Sequence, residues 1–540
     1  MQVVLDPNHM KVGAGGVENF FWPLSLGEQQ AFRDTLLSRF VSIARRRNDA
    51  SDEQRDLFAA FCQALARECM ALFVGHTLLR RIKAAGHQPL YPPGRLYPLL
   101  DESKTPAVSE SAMVRTLIKG PAQSAVWRRG IAKRVRDISF NGFGWQALRG
   151  SRANEDIVAC YPTPVLIEHA RAVPDTVKYT LLEEWFGALT DAEIAGAAPA
   201  LDAELRAEVV TAVKDAFDAG SESLPQHIGA YVDALSAEGA RLTKIHLDKV
   251  LAHPERVPRR LWTGSGAYVW TRLLRHAVRR LGGEVVGHEH GTGEGVIAYF
   301  NSKAFMDLES ADRFVTFNSN QCRWLRQTID QKFVVPTPVP TVDVPPYRTS
   351  RVKYAGGAPR RGARPAAHRT GRPTVMYVAS IYIGDQPRIG HHNADLVITD
   401  WQARLIARLQ AWGYDVLFKA HPEGTLRPPQ AFARDLGATF VEGRFEDVWT
   451  QADAAIFDWK STSALSAAMS TDLPLVMVDF GFEHFVPEAK VLIERRCAIV
   501  YGSADADNRL QVDWAELKQA LKDPPPATDR GFLEAAMRFA

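Results

Sequence analysis

Short apolar strands and amphipathic helices alternate along the sequence from about residue 258, and few architectures accept such a pattern. A strand, a glycine turn, an amphipathic helix, a glycine stop, a second strand and a glycine loop can be read in RRLWTGSGAYVWTRLLRHAVRRLGGEVVGHEHG. The same alternation returns from residue 374 in TVMYVASIYI, DWQARLIARLQAWG and YDVLFKAHP. Strands that alternate with helices form parallel sheets with helical crossovers. The sequence therefore predicts an α/β protein with two Rossmann-like domains.

The remainder of the chain divides by composition. Apolar residues recur at three- and four-residue spacing in EQQAFRDTLLSRFVSIARRR and DLFAAFCQALARECMALFVGHTLLRRI, which predicts amphipathic helices. A stretch rich in Pro, Gly and Arg separates the two alternating regions and indicates a connection. The predicted units are a helical region (1–110), a Rossmann-like domain with a helical insertion (111–335), a linker (336–373), a second Rossmann-like domain (374–510) and a helical tail (511–540).

Composition and net charge indicate which partners the protein could bind and in which cellular compartment it works. The formal net charge of +3 gives no argument for binding nucleic acid. The five cysteines form no CxxC pair, which favours a reducing compartment. The amino terminus lacks a signal-peptide pattern, and no stretch reaches the ~18 apolar residues expected of a membrane-spanning helix. A cytoplasmic protein is expected; arginines in the linker leave peripheral contact with the inner membrane as an alternative to a solvated loop.

The stretch DVLFKAHPEG suggests a ligand site at the end of a strand. Residues 416–418 read as a buried strand, and Pro422 stops the backbone from continuing it. Lys419 and His421 are thereby left at the carboxyl end of the strand. Ligands of open α/β sheets bind at that edge.

A second polar stretch, DWKSTSALSAAMS, follows another buried strand in the same domain. Ser461, Thr462 and Ser463 open a helix of small residues, where hydroxyls cap free N–H groups. The same N–H groups form a potential anion site, so a plain helix cap and a phosphate contact both remain open. Together with Lys419, His421 and Pro422, these hydroxyls predict a site for the ribose and phosphates of a nucleotide.

Candidate acid–base groups lie on other strand ends. The four candidates His288, Glu289, His290 and Glu294 lie on one glycine-containing loop, HEHGTGEG, where a ligand can approach the backbone closely. Asp385 follows the strand VASIYI and is expected to face the cleft between the domains, with a turn aspartate as the alternative. No third spaced ligand accompanies the two histidines, so no metal site is predicted.

KAHP and DWKSTSALSAA resemble the nucleotide motifs of bacterial GT-B glycosyltransferases that use cytidine nucleotides. These include capsule-type Kdo transferases, sialyl- and polysialyltransferases, and the glycerophosphotransferases of teichoic acid synthesis. The resemblance implies two Rossmann-like domains facing a cleft, and nucleotide contacts from the His-Pro and hydroxyl elements. It further implies that an acidic residue placed like Asp385 is catalytic.

The stretch EVVGHEHGTGEG with the downstream acidic segment is similar to the His-Gly element of bacterial surface-polysaccharide transferases. His290, Gly291, Gly293, Glu309 and the pair Ala311-Asp312 carry this similarity, while Glu289 replaces the usual glutamine. The resemblance makes His290, Glu294 and Glu309 candidate catalytic residues beside Asp385.

The expected function is transfer of a sugar, such as the ulosonic acid Kdo, from a CMP-activated donor to a glycan or lipid-linked acceptor in surface-polysaccharide synthesis. The expected enzyme is independent of metals and of any cofactor besides its nucleotide-sugar donor. A nucleotide-sugar 2-epimerase of the same fold, a CDP-linked polyol-phosphate transferase and a non-catalytic glycan-binding protein remain alternatives.

Overall fold

The computed structural model describes residues 2–5, 9–46, 52–90, 107–121, 157–173, 175, 177–291, 295–298, 304–332, 340–345, 351–352, 371–382, 394–421, 424 and 429–539. These residues form an α/β protein with two large, mainly parallel sheets of six and seven strands. This confirms the predicted α/β class.

The amino-terminal part consists of helices and short strands. In chain order these are β1 (Gln2–Val4), β2 (Val12–Gly13), β3 (Gly16–Val17), α1 (Leu26–Arg46), α2 (Asp52–Ala84), β4 (Gln88–Leu90) and α3 (Ala112–Lys119). β1 pairs with β4, and β2 forms a hairpin with β3. The rings of Phe32 and Phe73 stack with their centroids 4.2 Å apart and join α1 to α2.

Of the described helices, one is long and apolar enough to cross a membrane, namely Asp56–Ala84 within α2. This differs from the sequence-based expectation that no stretch is sufficiently apolar. Most of the helix is buried, and charged residues within it have protein partners. Arg67 donates to the carbonyl oxygen of Ala267 at 3.0 Å, and Glu68 accepts from the backbone N–H of Met113 at 2.9 Å. Such burial is that of a helix in a protein core.

The first large sheet occupies the middle of the chain. Its part of the chain contains β5 (Ile157–Cys160), α4 (Pro164–Ala172), β6 (Val177–Tyr179), α5 (Asp191–Gly196), α6 (Ala203–Ala219), α7 (Gln226–Leu251), β7 (Arg260–Thr263), α8 (Val269–Arg280), β8 (Glu284–His288), β9 (Arg313–Val315), α9 (Ser319–Lys332) and β10 (Thr341–Asp343). Its strands are all parallel, in the order β10-β9-β8-β7-β5-β6. The direction of winding changes between β5 and β7, which makes that position the topological switch point.

The second large sheet follows in the carboxyl-terminal part. Its part of the chain contains β11 (Arg351–Val352), β12 (Thr374–Val378), α10 (Asp395–Ala411), β13 (Asp415–Lys419), α11 (Pro429–Asp435), β14 (Thr439–Phe440), α12 (Phe445–Val448), β15 (Ala454–Phe457), α13 (Ser463–Ala468), β16 (Leu475–Asp479), α14 (Pro487–Glu494), β17 (Ala498–Ala504), β18 (Leu510–Val512), α15 (Trp514–Lys522), α16 (Gly531–Ala536) and β19 (Arg538–Phe539). The order is β14-β13-β12-β15-β16-β17-β18, with β18 antiparallel to β17 and the other pairs parallel. The switch point lies between β12 and β15.

Short strands pair segments of the chain that the sequence pattern assigns to separate units. β10 lies within the stretch 336–373 and forms one edge of the first sheet. β19, at the end of the chain, pairs antiparallel with β11 from the same stretch. Residues assigned from composition to a linker and a tail are therefore built into paired structure.

The segment near the amino terminus packs on the half of the molecule that contains the second large sheet, and the carboxyl-terminal segment packs on the half that contains the first. The β2–β3 hairpin rests on α10, where the backbone N–H of Val17 donates to the buried carboxylate of Asp400 at 3.0 Å. Arg404 and Arg509 pair with the same carboxylate at 2.8 and 2.6 Å. The carboxyl-terminal segment returns to the first half, where Gln321 on α9 donates to the carbonyl oxygen of Ala536 at 2.7 Å. Both ends thus fix the two halves to each other.

Candidate functional site

The two polar stretches predicted from sequence meet at the carboxyl edge of the second sheet. His421 follows β13 and Trp459 follows β15, and these strands flank β12 on either side. The centroids of the two rings are 5.5 Å apart. The structure therefore brings His421 and the turn that precedes the hydroxyl stretch together at the switch point.

Asp458 anchors the turn after β15. Its buried carboxylate accepts hydrogen bonds from the hydroxyl of Tyr377, from the backbone N–H of Ser380 at 3.1 Å and from the indole N–H of Trp401 at 3.2 Å. Burial raises the pKa of Asp458 to about 6, against the lowering effect of these donors. The carboxylate holds the end of β15 against β12 and α10.

The three hydroxyls at the start of α13 have different surroundings. The Thr462 hydroxyl accepts from the backbone N–H of Ala464 at 3.3 Å and so caps the helix. The Ser461 hydroxyl donates to the carboxylate of Glu483, and Ser463 is exposed. Because α13 has six residues, its dipole is small. A nucleotide contact by these three residues stays a prediction.

Lys419 and Lys460 are buried at the carboxyl edge of the second sheet rather than exposed on it. Lys419 is largely buried and donates to the carbonyl oxygen of Ala420 at 3.0 Å; burial lowers its pKa. Lys460 forms an ion pair with Asp479 at 2.6 Å, and burial also lowers its pKa. The Lys460 ammonium also donates to the backbone carbonyl of Glu483. Lys460 thus links the turn after β15 to the loop after β16.

Glu483 is the residue of this edge that sequence reasoning missed. One carboxylate oxygen accepts from Ser461, while Oε2 is buried and has no hydrogen-bond partner among the described residues. Burial raises the pKa of Glu483 to about 7. The available signal was weak: an acid four residues beyond the apolar strand LPLVMVD. A carboxyl group of this kind is characteristic of functional sites as well as of structural networks.

The loop that carries Glu483 also contacts the first half of the molecule. The backbone N–H of Ala298 donates to the carbonyl oxygen of His484 at 2.8 Å, and that of Val486 donates to the carbonyl oxygen of Val296 at 2.9 Å. Ile297 and Phe485 form an isolated antiparallel bridge between these two hydrogen bonds. The loop after β8 and the loop after β16, each of which follows the carboxyl end of a strand, therefore meet.

The candidates on the first sheet are placed differently from one another. His290 is exposed and stacks on Tyr161, with ring centroids 5.3 Å apart. His288 is buried against His169, 2.9 Å away between ring nitrogens, and burial lowers its pKa well below the usual range. Glu309 pairs with the buried guanidinium of Arg272. His290 is therefore exposed at the edge of the first sheet, whereas Glu309 neutralises the charge of the buried Arg272. Catalytic roles for both residues stay predictions.

Asp385, Glu294 and Pro422 lie outside the described residues. Within the described part of the chain, no group of three or more His, Cys, Asp or Glu side chains is placed to hold a metal ion. Comparison with models of known protein families and with curated proteins finds no match for the chain.

Proposed function

We propose that the protein is a metal-independent GT-B glycosyltransferase of bacterial surface-polysaccharide synthesis. Its donor is a nucleotide sugar, with a CMP-linked ulosonic acid such as Kdo as the expected form, and its acceptor is a glycan or a lipid-linked oligosaccharide. The observation that supports this most is the contact between two loops, one at the carboxyl edge of each large sheet, through residues 296–298 and 484–486. Ligands of open α/β sheets bind at those edges, so a donor and an acceptor would lie close together.

The donor is assigned to the second sheet. His421 and Trp459 supply an imidazole and a large aromatic surface beside the switch point, and the exposed Ser463 hydroxyl lies at the start of α13. An aromatic face suits a nucleobase, and the imidazole and hydroxyl suit ribose and phosphate oxygens. Because α13 is short, these side chains rather than a helix dipole carry the proposal.

The decisive experiment is a nucleotide panel measured by thermal shift and calorimetry on the full chain. CMP is expected to bind more tightly than UMP, GMP or AMP, and a ligand at 100 times its Kd adds about 2.7 kcal/mol of stability. His421→Ala should weaken CMP binding about tenfold or more, equivalent to about 1.4 kcal/mol. His253→Ala, at an exposed position after α7, serves as the matched control.

Turnover separates the proposed transferase from its alternatives. Donor consumption that requires an acceptor and continues in EDTA supports the proposal. Conversion of a nucleotide sugar without an acceptor indicates an epimerase, and glycan binding without any nucleotide binding indicates a binding protein. Failure of every nucleotide to bind, or wild-type CMP affinity in folded His421→Ala, contradicts the assignment of the donor site.

A further inference from the structure

We propose that the first sheet carries a binding site of its own, which takes the pyranose ring of a carbohydrate on the surface formed by Tyr161, Tyr268 and His290. We refer to these three side chains as the aromatic cluster. The inference goes beyond the proposed function, because it depends on the first sheet alone and holds whether or not the second sheet binds a nucleotide.

The aromatic cluster lies at the switch point of the first sheet. Tyr161 follows β5, Tyr268 precedes α8 on the loop after β7, and His290 follows β8. The tyrosine hydroxyls are 3.2 Å apart, their ring centroids are 5.1 Å apart, and 46% of Tyr268 is exposed. Three consecutive strand ends of a parallel sheet thus present aromatic side chains at the position where such sheets bind ligands.

The backbone that presents the cluster is held in an unusual conformation. Tyr161 has a φ of +54°, a region that bulky residues rarely adopt, although Pro162 follows it and favours an extended residue there. The loop after β7 packs directly on it: a Cβ on Gly264 would lie 2.1 Å from the carbonyl oxygen of Tyr161. Strain of this kind persists where the surroundings impose it, and it is concentrated at binding sites.

The loop after β7 is also fixed from below. The backbone N–H of Gly266 donates to Asp307 at 2.7 Å, and a Cβ on Gly266 would lie 2.3 Å from a guanidinium nitrogen of Arg275. Arg275 is fully buried and bonds to the hydroxyls of Thr263 and Ser310. Tyr268 is therefore carried on a rigid support, which reduces the entropy lost when a ligand binds.

The shape and chemistry of the cluster favour a sugar ring. The planes of the two tyrosine rings are tilted by 43° and their centroids lie 5.1 Å apart, so the rings contact each other and form one angled surface rather than the parallel surfaces that suit a flat base. A pyranose presents C–H bonds on its faces and hydroxyls around its rim. Tyrosine rings match the faces, and the paired phenol groups donate to and accept from the rim.

Saturation-transfer NMR on the full chain tests the inference, with methyl glucopyranoside, galactopyranoside and mannopyranoside as probes. At least one probe should receive saturation at its ring C–H protons. Tyr268→Ala should reduce that binding about fivefold, which corresponds to about 1 kcal/mol. Tyr501→Ala, which removes a tyrosine that is 50% exposed on β17, should leave it unchanged.

Two further arms keep the site separate from the donor site. His421→Ala should retain pyranoside binding in full, even if nucleotide binding is lost. Tyr161→Gly should lose pyranoside binding while remaining folded, because glycine adopts a positive φ without strain. Binding of no pyranoside, wild-type binding in Tyr268→Ala, or displacement of the pyranoside by cytidine would each overturn the inference, the last because the site would then be one for bases.

Discussion

Replacing Glu483 with glutamine tests whether the buried carboxyl at the edge of the second sheet is protonated in the folded protein. The pKa of Glu483 is about 7, against an ordinary value of 4.5. At about 1.36 kcal/mol for each pKa unit, this difference corresponds to roughly 3 kcal/mol. The cost arises because an ionised carboxylate at this position has little water around it, and Oε2 has no partner among the described residues.

The sign of the pH dependence follows from where the proton resides. Below pH 4.5 Glu483 is protonated in both the folded and the unfolded chain, so the group does not affect stability. Between pH 4.5 and 7 the unfolded chain loses the proton while the folded chain keeps it. The folded state then binds more protons, and the free energy of unfolding falls as the pH rises. Above about pH 7 the full cost is present.

Glutamine at this position does not titrate, so Glu483→Gln should remove that part of the pH dependence. Its amide group would leave an N–H donor where Oε2 is buried, at a cost of about 1 to 3 kcal/mol that does not vary with pH. The variant should therefore be less stable than the wild type at pH 5 and gain relative to it by roughly 2 to 3 kcal/mol on going to pH 8. Asp458, whose pKa is raised to about 6, contributes to both proteins and cancels in the comparison.

Urea unfolding followed by tryptophan fluorescence at pH 5, 6, 7 and 8 measures this difference. Glu516→Gln, at an exposed position on α15, is the control and should show a difference that does not change with pH. If the difference between wild type and Glu483→Gln stays constant from pH 5 to 8, Glu483 is ionised in the native protein and the account of its burial is wrong.

Two further predictions concern the packing of the halves and the backbone of the first sheet. Asp400→Ala should cost about 3 to 5 kcal/mol in urea unfolding, because Arg404 and Arg509 lose their common carboxylate and the N–H of Val17 loses its acceptor; a cost below 1 kcal/mol would contradict this. Tyr161→Gly should be about 1 kcal/mol more stable than Tyr161→Ala, because alanine must adopt the positive φ; equal stability would indicate a relaxed backbone.

The features of the fold that sequence reasoning anticipated are those with a local cause. Strands and helices leave a short-range periodicity, so the alternation from residues 258 and 374 was enough to predict two sets of parallel strands. That His421 and the turn after β15 lie at the same edge was also predictable, because residues that follow strands of one parallel sheet collect at one edge.

The features that escaped prediction depend on distant parts of the chain. The strands β10 and β19 have three and two residues, too few to leave a pattern, and their partners are set by tertiary packing. The aromatic cluster draws one residue from each of three strand ends, and nothing in the sequence near Tyr161 indicates its partners. Glu483 is notable only because it is buried, and burial of a single loop residue is not encoded locally.

Glu483 lies on the loop whose backbone contacts residues 296–298 of the first half, and this contact gives the glutamine substitution a second readout. The residue after Glu483, His484, accepts a hydrogen bond from the backbone N–H of Ala298. The backbone N–H of Val486 donates to the carbonyl oxygen of Val296. An ionised Glu483 should favour local opening of this loop, and local opening is what amide hydrogen exchange measures. After correction for the intrinsic effect of pH on exchange, protection of these two amides should fall between pH 6 and 8 in the wild type and stay constant in Glu483→Gln. Equal protection profiles in both proteins would show that the charge of Glu483 does not reach the contact between the halves, even if it affects global stability.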